Sequence, residues 1–229
     1  MKKTVVIHQP DFIPYLGFFH RLLHADLFVV LDNVQFLREG WHHRDKIKTY
    51  NGEKWHTIRT IKAPLETKIN QIYLYHDDNW KQNNLNQIKE NYKKTKFFDE
   101  IFPYLEIIYS KKISKLWEFN MESICILNRL FDIKIEMIVS SKFNLNSKSN
   151  QLLVDLLKRA GATHYLSGIG AKDYHDDKPF EEANIKVVWQ EFKHPVYPQL
   201  HGEFIPYLSS IDLLFNCGIK KSREILRSI

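Results

Sequence analysis

The sequence predicts an α/β fold built on a mainly parallel sheet, and three observations support this prediction. Short apolar runs, beginning with Thr4–His8 and Leu27–Leu31, alternate with segments of helical periodicity. The runs are apolar at successive positions, which is typical of parallel strands that are covered on both faces. Polar residues and glycines follow several of the runs, at the sheet edge where α/β proteins bind their ligands.

The first unit of the chain is a strand–helix–strand pattern. Strand Thr4–His8 precedes helix Leu16–His24, and strand Leu27–Leu31 follows it. The pattern then changes over residues 33–78, where alternating polar and apolar residues predict a small antiparallel insertion. We place its strands in Trp55–Ile61 and Gln71–Tyr75.

A helical segment follows over residues 79–132, and the strand–helix alternation then resumes. We predict helices at Asn79–Lys93, Phe97–Ile108 and Ile113–Phe131. The last part is predicted to contain strands Lys134–Ser140, His164–Leu166 and Lys186–Glu191, helix Ser149–Ala160 capped by Gly161, a short helix Pro179–Ala183, and a helical tail, Ile205–Phe215 and Lys220–Arg227, with Gly218 between its parts. No linker divides the chain, so residues 1–229 are expected to form one domain.

Composition indicates a soluble protein. Hydrophobic residues make up 44% of the chain and charged residues 26%, and nowhere do 18 apolar residues follow one another. Cys125 and Cys217 lack metal-ligand or redox spacing, so we expect free thiols, a cytoplasmic location and no membrane insertion. The net charge of +6 is compatible with an anionic ligand but does not require one.

The first candidate site is the segment that joins the first strand to the first helix. It runs from His8 and Gln9 through two prolines to Tyr15 and Gly17. Backbone amides at a helix N-terminus favour anions, which predicts a ligand crevice here. The alternative is a structural turn in which His8 and Gln9 satisfy local hydrogen bonds.

A second candidate cluster follows the second strand. Asp32 and Gln35 are succeeded by Trp41, His43 and Arg44. Arg44 has the fork geometry that binds phosphate or carboxylate, and Trp41 can stack on a base or a sugar. The alternative is that Asp32 pairs with Arg44 or Lys46 as a structural anchor. Adjacent histidines in an extended segment point to opposite sides, so we predict no metal site.

Two further clusters complete the candidate set. Ser167, Gly168 and Gly170 leave a strand just before Lys172, and their amides could hold a phosphate, although a plain turn would have a similar sequence. Near the end of the chain, Gln199 precedes a helix that contains Asp212 among apolar residues. A buried carboxylate must be paired, protonated or functional, and pairing is the commonest outcome.

These motifs, in this order, resemble the WbqC-like family. The family pattern reads HQP-x-F/Y-x-P-x-x-GFF, AD, D-x-VQF, W-x-x-R-x-x-I, YLSG, Y-x-Q and LS-x-IDLLFN-x-G, and the corresponding residues here are His8–Phe19, Ala25-Asp26, Asp32–Phe36, Trp41–Ile47, Tyr165–Gly168, Tyr197–Gln199 and Leu208–Gly218. The resemblance implies a bacterial protein of surface-polysaccharide (O-antigen, lipopolysaccharide) loci with glycine transferase activity. The chain departs from the W-x-N-R-N form of the family, since His43 and Asp45 flank Arg44.

The first strand, turn and helix are also similar, by analogy of fold, to the start of Rossmann-like HIGH-motif nucleotidyltransferases (HUP-like). In those enzymes two histidines at the helix start stabilise the phosphates of ATP. Aligning Gly17 places Tyr15 and Phe18 at the histidine positions. The analogy therefore extends to the fold but not to the adenylylating residues.

The resemblance leads to one principal hypothesis and two alternatives. The principal one is a transferase that attaches glycine or another aminoacyl group to the amine of a nucleotide-linked amino sugar. Its donor would be an activated aminoacyl compound such as aminoacyl-tRNA, and the sequence identifies no cofactor and leaves the use of ATP or a metal open. The alternatives are a non-catalytic nucleotide-sugar or glycan-binding protein and a divergent nucleotidyltransferase. The sequence leaves the donor, the sugar and the oligomeric state open.

Roles under the transferase hypothesis follow from residue chemistry. The catalytic set is His8 as general base, with Gln9, His43 and Asp32. The substrate- and phosphate-binding set is Tyr15, Gly17, Gln35, Trp41, Arg44, Ser167, Gly168, Gly170, Lys172 and Gln199.

Overall fold

A computed structural model describes residues 1–229, apart from the side chain of Tyr174. Its strands are β1 (Thr4–His8), β2 (Leu27–Val30), β3 (Arg44–Thr49), β4 (Gly52–Thr57), β5 (Glu136–Val139), β6 (His164–Ser167) and β7 (Lys186–Trp189). Its α-helices are α1 (Leu16–Leu23), α2 (Asn79–Tyr92), α3 (Phe98–Ser110), α4 (Leu116–Phe131), α5 (Ser149–Arg159), α6 (Lys178–Glu182) and α7 (Ser210–Arg227). Short 3-10 helices cover Ile69–Gln71, Ser140–Phe143 and Ile169–Tyr174.

Five of the strands form one parallel sheet in the order β5-β2-β1-β6-β7. This confirms the predicted α/β class with a mainly parallel sheet. The strands are added outward from β1 in both directions: β2 and β5 lie on one side of β1, and β6 and β7 lie on the other. In open α/β sheets such a switch point opens a crevice beyond the carboxyl ends of the two strands. The crevice here lies after His8 and Ser167.

The antiparallel insertion is present, but its strands differ from the prediction. It is a hairpin of β3 and β4, which pair from Arg44↔Thr57 to Thr49↔Gly52. The predicted strand at Gln71–Tyr75 is wrong, since this segment makes only isolated bridges, Leu74 with Thr60 and Tyr73 with Lys115. Strand β3 was missed because its sequence, RDKIKT, is mostly polar; its burial depends on the residues that pack around it.

Apolar side chains fill both sides of the parallel sheet. On one side, Val6 and Phe28 pack with helices α1 to α4 and α7 and with the hairpin residue Ile47. On the other side, Val5 and Val29 pack with α5 and α6. The insertion and the helical segment therefore share one core with the sheet.

The last helix begins later than predicted. It starts at Ser210 and not at Ile205, because Ile205 is followed by Pro206, and a residue before proline is disfavoured in helical conformation. Gly218 has φ 73° and breaks the helix, as its position in the sequence predicted. In the described part of the chain, no helix is both long and apolar enough to cross a membrane.

Candidate functional site

The segment after β1 is held in a strained conformation by three distant parts of the chain. Ile13 has φ 36°, which is an outlier for a β-branched residue. The Ser209 hydroxyl donates to the Ile13 carbonyl (2.6 Å), and the Asn120 amide donates to the Pro10 carbonyl (2.7 Å). The Phe12 amide donates to the Trp41 carbonyl (3.2 Å). Strain that is fixed by so many contacts is typical of functional sites.

His8 ends β1 as a neutral imidazole. Its Nδ1 lies 2.9 Å from the carbonyl oxygen of Gln9, which can only accept, so Nδ1 carries the proton and Nε2 keeps its lone pair. Burial, with the positive charge of Arg21, lowers the pKa of His8 to about 3. His8 is therefore uncharged at neutral pH and is a weak base in the free protein.

A buried carboxyl group, Asp11, lies beside His8, and a second one, Asp45, is near enough to Asp11 to be affected by its charge. Asp11 Oδ2 is 3.6 Å from His8 Nδ1, and burial raises the pKa of Asp11 to about 7, with Arg21 opposing the rise. Burial also raises the pKa of Asp45 well above its ordinary value despite a hydrogen bond from the Lys46 backbone amide, and the charge of Asp11 raises it further. Burial thus favours the protonated form of Asp45, and Asp11 is near its midpoint at neutral pH.

Arg21 brings a buried positive charge to the crevice. Only 5% of the residue is exposed, and its Nη1 donates to Gln190 Oε1 (3.1 Å) beyond the end of β7. Its buried Nη2 has no hydrogen-bond partner among the described residues. An unpaired buried donor on a charged group is costly, so the arrangement is poised to receive an acceptor.

Gly168 allows this guanidinium to approach the end of β6. A Cβ atom at this position would collide with Arg21 Nη1. Ser167, Gly168 and Arg21 therefore meet at the switch point, with His8 on the neighbouring strand. We call His8, Asp11, Arg21, Asp45 and Gly168 the crevice cluster.

Other residues of the predicted set lie around the crevice cluster rather than in it. Gln9 is half-buried beside His8. The Tyr15 ring lies against Gly17, where a Cβ would collide with it, and packs edge-on against Phe192. Gly170 and Lys172 are exposed in the 3-10 helix that follows β6. These residues are placed where they could contact the outer part of a ligand bound in the crevice.

The residues around Arg44 form a separate outer face next to the crevice. Trp41 packs on Trp55 (5.2 Å between ring centroids), and the Arg44 guanidinium lies 4.3 Å from the Trp55 ring. Arg44 also donates to the Glu39 carbonyl (2.6 Å). Trp41 is 46% exposed. We call Trp41, Arg44, Lys46 and Trp55 the tryptophan face.

His43 and Gln35 flank this face. His43 packs against Phe36, and burial, together with the charge of Arg44, lowers the pKa of its imidazole to about 4. The buried His43 Nδ1 has no partner among the described residues. Gln35 is exposed and donates to the Leu65 carbonyl (2.7 Å). Neither residue joins the crevice cluster through a hydrogen bond in the described structure.

Asp32 is buried and its carboxylate is fully engaged. Oδ1 accepts from the Ser140 hydroxyl and the Ser141 amide, both at 2.9 Å, and Oδ2 accepts from Asn70 Nδ2 (2.9 Å). The alternative that Asp32 pairs with Arg44 or Lys46 is wrong, because Ser140, Ser141 and Asn70 occupy its oxygens. The residue links the end of β2 to the end of β5 and to the insertion.

Gln199 and Asp212 belong to a buried network far along the chain. Asp212 Oδ1 accepts from Tyr92 (2.9 Å), and Oδ2 accepts from Tyr197 (2.9 Å) and Gln199 Nε2 (2.8 Å). Lys48, which is 1% exposed, donates to Gln199 Oε1 (3.0 Å) and to the Glu203 carbonyl. We call Lys48, Tyr92, Tyr197, Gln199 and Asp212 the Asp212 network. It joins β3, α2 and α7.

Three residues of the crevice cluster were absent from the predicted set: Asp11, Arg21 and Asp45. The sequence holds a signal for Arg21, because this residue lies among apolar residues on a short helix, as Asp212 lies among apolar residues in the first turns of α7. Asp11 lies inside the His8–Phe19 motif, but its burial depends on the strained turn. Nothing in the sequence singles out Asp45, because the residues of a mostly polar strand do not show which of its faces is buried.

Among the residues that the structure describes, no group of three or more histidine, cysteine or acidic side chains is arranged to hold a metal ion. Two surface hollows of about 290 Å³ each lie outside the crevice cluster. One adjoins Gly218 in α7, and the other adjoins Asn33 and Asn70 beyond the end of β2.

Comparisons with known proteins support the family resemblance of the sequence motifs. A family model described as the WbqC-like protein family matches residues 9–224. The uncharacterized protein Rv1507c of Mycobacterium tuberculosis (strain ATCC 25618 / H37Rv) is 31% identical over 224 residues, which is 95% of each chain. No solved structure matches the chain.

Proposed function

The chain belongs to the WbqC-like protein family, and on that premise we propose that it is a transferase of bacterial surface-polysaccharide biosynthesis. In this proposal it attaches glycine or another aminoacyl group to the amine of a nucleotide-linked amino sugar. The observation that carries the proposal is the crevice cluster, which combines an unpaired buried arginine donor with a carboxyl group that titrates near neutral pH.

The phosphate of the nucleotide would bind at Arg21. The free Nη2 offers a charge-assisted hydrogen bond, and Gly168 lets the guanidinium pack against the backbone at the end of β6, where it can hold the phosphate. The position beyond β1 and β6 is where α/β sheets bind nucleotides. Arg21 thus takes the phosphate role that the sequence assigned to Arg44, whose guanidinium lies over Trp55.

Proton transfer is assigned to Asp11. Amide formation requires a neutral amine, and a general base works best when its pKa is near the operating pH. Asp11, with a pKa of about 7, meets this condition better than His8, with a pKa of about 3. The amine attacks the acyl carbon, the bond from that carbon to the leaving group breaks, and Asp11 passes the amine proton to the leaving group. His8 holds the reacting groups by hydrogen bonds.

The tryptophan face supports a nucleic-acid-linked donor, such as the acceptor end of an aminoacyl-tRNA. Exposed tryptophans with Arg44 and Lys46 nearby are suited to stack on unpaired bases. The face adjoins the crevice, because the Trp41 carbonyl accepts from the amide of Phe12, next to Asp11.

The test is a transfer assay read by mass spectrometry. Purified protein is mixed with nucleotide-linked amino sugars and with glycyl donors, namely glycyl-tRNA, glycyl adenylate and a glycyl thioester. We expect the sugar nucleotide to gain the mass of one glycyl residue. Ligand binding without product would instead favour a non-catalytic nucleotide-sugar-binding protein, and pyrophosphate release from a nucleoside triphosphate would favour a nucleotidyltransferase.

Variants distinguish the two proposed roles. Asp11→Asn should lower kcat by about 10²- to 10⁴-fold with little change in KM, as expected for loss of a general base. Arg21→Met should raise KM for the sugar nucleotide at least about tenfold, the loss of one charge-assisted contact. Arg44→Met is the matched control, and a KM effect as large as that of Arg21→Met would return the phosphate role to Arg44.

A further inference from the structure

A polar hollow of about 290 Å³ lies at the carboxyl edge of β2 and β5, beside the crevice cluster. Side-chain amides dominate its lining. The residues around it are Asn33, Lys68, Asn70, Gln71, Ser141, Asn144, Leu145 and Asn146. Lys68 is the one charged residue in this lining, so the hollow presents hydrogen-bonding groups with little net charge.

Asp32 gives the hollow a fixed floor. Its buried carboxylate accepts hydrogen bonds from Ser140, Ser141 and Asn70, and so ties the ends of β2 and β5 to the 3-10 helix of the insertion. The Ser140 hydroxyl also lies within hydrogen-bond distance of Asn33 Oδ1 (2.7 Å). A preorganised floor lowers the ordering cost of binding a ligand.

Several polar groups of the lining are accessible to a ligand. The side-chain amides of Asn144 and Asn146 are exposed, and the Asn33 amide contacts the hollow's base only at the Ser140 hydroxyl, so these groups are open to a ligand; Asn70 holds Asp32 through Nδ2 and keeps its Oδ1. Each primary amide has two donors and an acceptor oxygen. Sugar hydroxyl groups likewise donate and accept, so the two sets are chemically complementary.

We propose that this hollow binds the ring of a sugar. Its volume is at the lower limit of small-ligand pockets, about 300–1,000 Å³, which fits one ring rather than a whole nucleotide. Adjacent strands lie about 4.8 Å apart, so the β2–β5 boundary is roughly 10 Å from the β1–β6 boundary where Arg21 lies. A diphosphate joined to a sugar can bridge that separation. The identity of the ring as the acceptor amino sugar rests on the proposed function.

Titration with free monosaccharides tests the hollow without involving Arg21. The probes are the methyl glycosides of glucose, glucosamine and 4-amino-4,6-dideoxyglucose, added to the full chain labelled with ¹⁵N. We expect saturable shifts in the side-chain NH₂ signals of Asn33, Asn70 and Asn144, and the backbone signals of Arg21 and Gly168 should move little.

A matched pair of variants locates the binding. Asn144 has φ 51° and Asn184, an exposed residue after α6, has φ 55°, so glycine preserves the left-handed backbone at both positions. Asn144→Gly should weaken sugar binding roughly 5- to 10-fold, the loss of one or two hydrogen bonds. Asn184→Gly should bind like the wild type.

Either of two results would overturn the proposal. One is the absence of lining shifts with every glycoside, and the other is equal binding by the two glycine variants. Failure of the transferase proposal would appear separately, as a lack of amide product with intact sugar binding. If only the two amino glycosides bind, the ring is that of an amino sugar. If glucose binds equally, the hollow recognises hydroxyl groups alone.

Discussion

The crevice cluster and the Asp212 network are both buried polar sites, and they differ in how completely their hydrogen bonds are satisfied. In the Asp212 network the carboxylate accepts from three side chains, and Lys48 has two oxygen acceptors. In the crevice cluster a guanidinium nitrogen has no partner among the described residues, and Asp11 lies 3.6 Å from its histidine neighbour.

The difference fits a structural role for the Asp212 network and the proposed ligand-binding role for the crevice cluster. A buried polar group that is fully paired stabilises one arrangement of the chain, whereas an unpaired one raises the free energy of the free protein and is relieved by a ligand. Asp212 therefore joins α7 to the hairpin, and Arg21 keeps a free donor for the proposed anion. Both residues stand out in the sequence, since each is a charge among apolar neighbours on its helix.

The largest effect is expected from Asp212→Asn, which leaves Lys48 buried without a countercharge. Asp212 acts on Lys48 through its charge and through Gln199, which bonds both residues. Leaving a buried charge uncompensated costs about 3–5 kcal/mol, so the free energy of unfolding should fall by that amount in a urea titration. Adding Lys48→Met should restore a large part of the loss, because the uncompensated charge is then gone.

The control for this experiment is Glu53→Gln in the same hairpin. Glu53 pairs with Lys46 at the surface, where such pairs contribute about 0–1 kcal/mol. A loss at Asp212 no larger than that at Glu53 would mean that the network does not stabilise the fold.

Asp11→Asn in the crevice cluster is expected to raise the free energy of unfolding, whereas Asp212→Asn lowers it. The unfolded chain ionises Asp11 near its ordinary pKa of 3.8, while the folded protein holds the proton up to about pH 7, so the wild type loses stability as pH rises between these values. Asparagine does not ionise, so the variant does not lose stability in this pH range. The variant should be about 2–4 kcal/mol more stable than the wild type at pH 8.

At pH 4 this advantage should shrink to below about 1 kcal/mol, because Asp11 is then protonated in the folded wild type. Denaturant unfolding at the two pH values checks it. An equal difference at pH 4 and pH 8 would show that Asp11 does not titrate near neutral pH in the folded state.

A smaller effect is expected from Gly168→Ala, with Gly170→Ala as its control. The new Cβ at position 168 collides with Arg21 Nη1, whereas a Cβ at position 170 meets no atom within 4 Å. Gly168→Ala should cost about 1–2 kcal/mol of stability, as overpacking does, and should weaken the stabilisation by added pyrophosphate. Gly170→Ala should remain within about 0.5 kcal/mol of the wild type in thermal unfolding. Equal pyrophosphate responses would remove Gly168 from the anion site.

Parts of the fold and site were accessible from sequence patterns, and other parts were not. Apolar runs predicted the strands at Thr4–His8 and Leu27–Leu31, and Gly218 predicted the break in α7. The pattern did not reveal β3, whose Asp45 and Lys48 are buried by contacts with other segments. The sequence predicts a ligand site at the His8–Phe19 motif and assigns its phosphate contact to Arg44, whereas the buried guanidinium next to His8 and Gly168 belongs to Arg21.

The sequence by itself determined the α/β class and the family, and it placed polar motifs at strand ends, because periodicity and motif order are local properties of the chain. Tertiary structure decided which buried polar atoms find a hydrogen-bond partner and which do not. Asp32 and Asp212 find partners more than 35 and 100 residues away, respectively, in Asn70 and Tyr92. Arg21 Nη2 finds none among the described residues. Whether a buried polar group has a hydrogen-bond partner depends on neighbours that only folding brings together. Tertiary structure was therefore needed to distinguish the structural anchors from the candidate site.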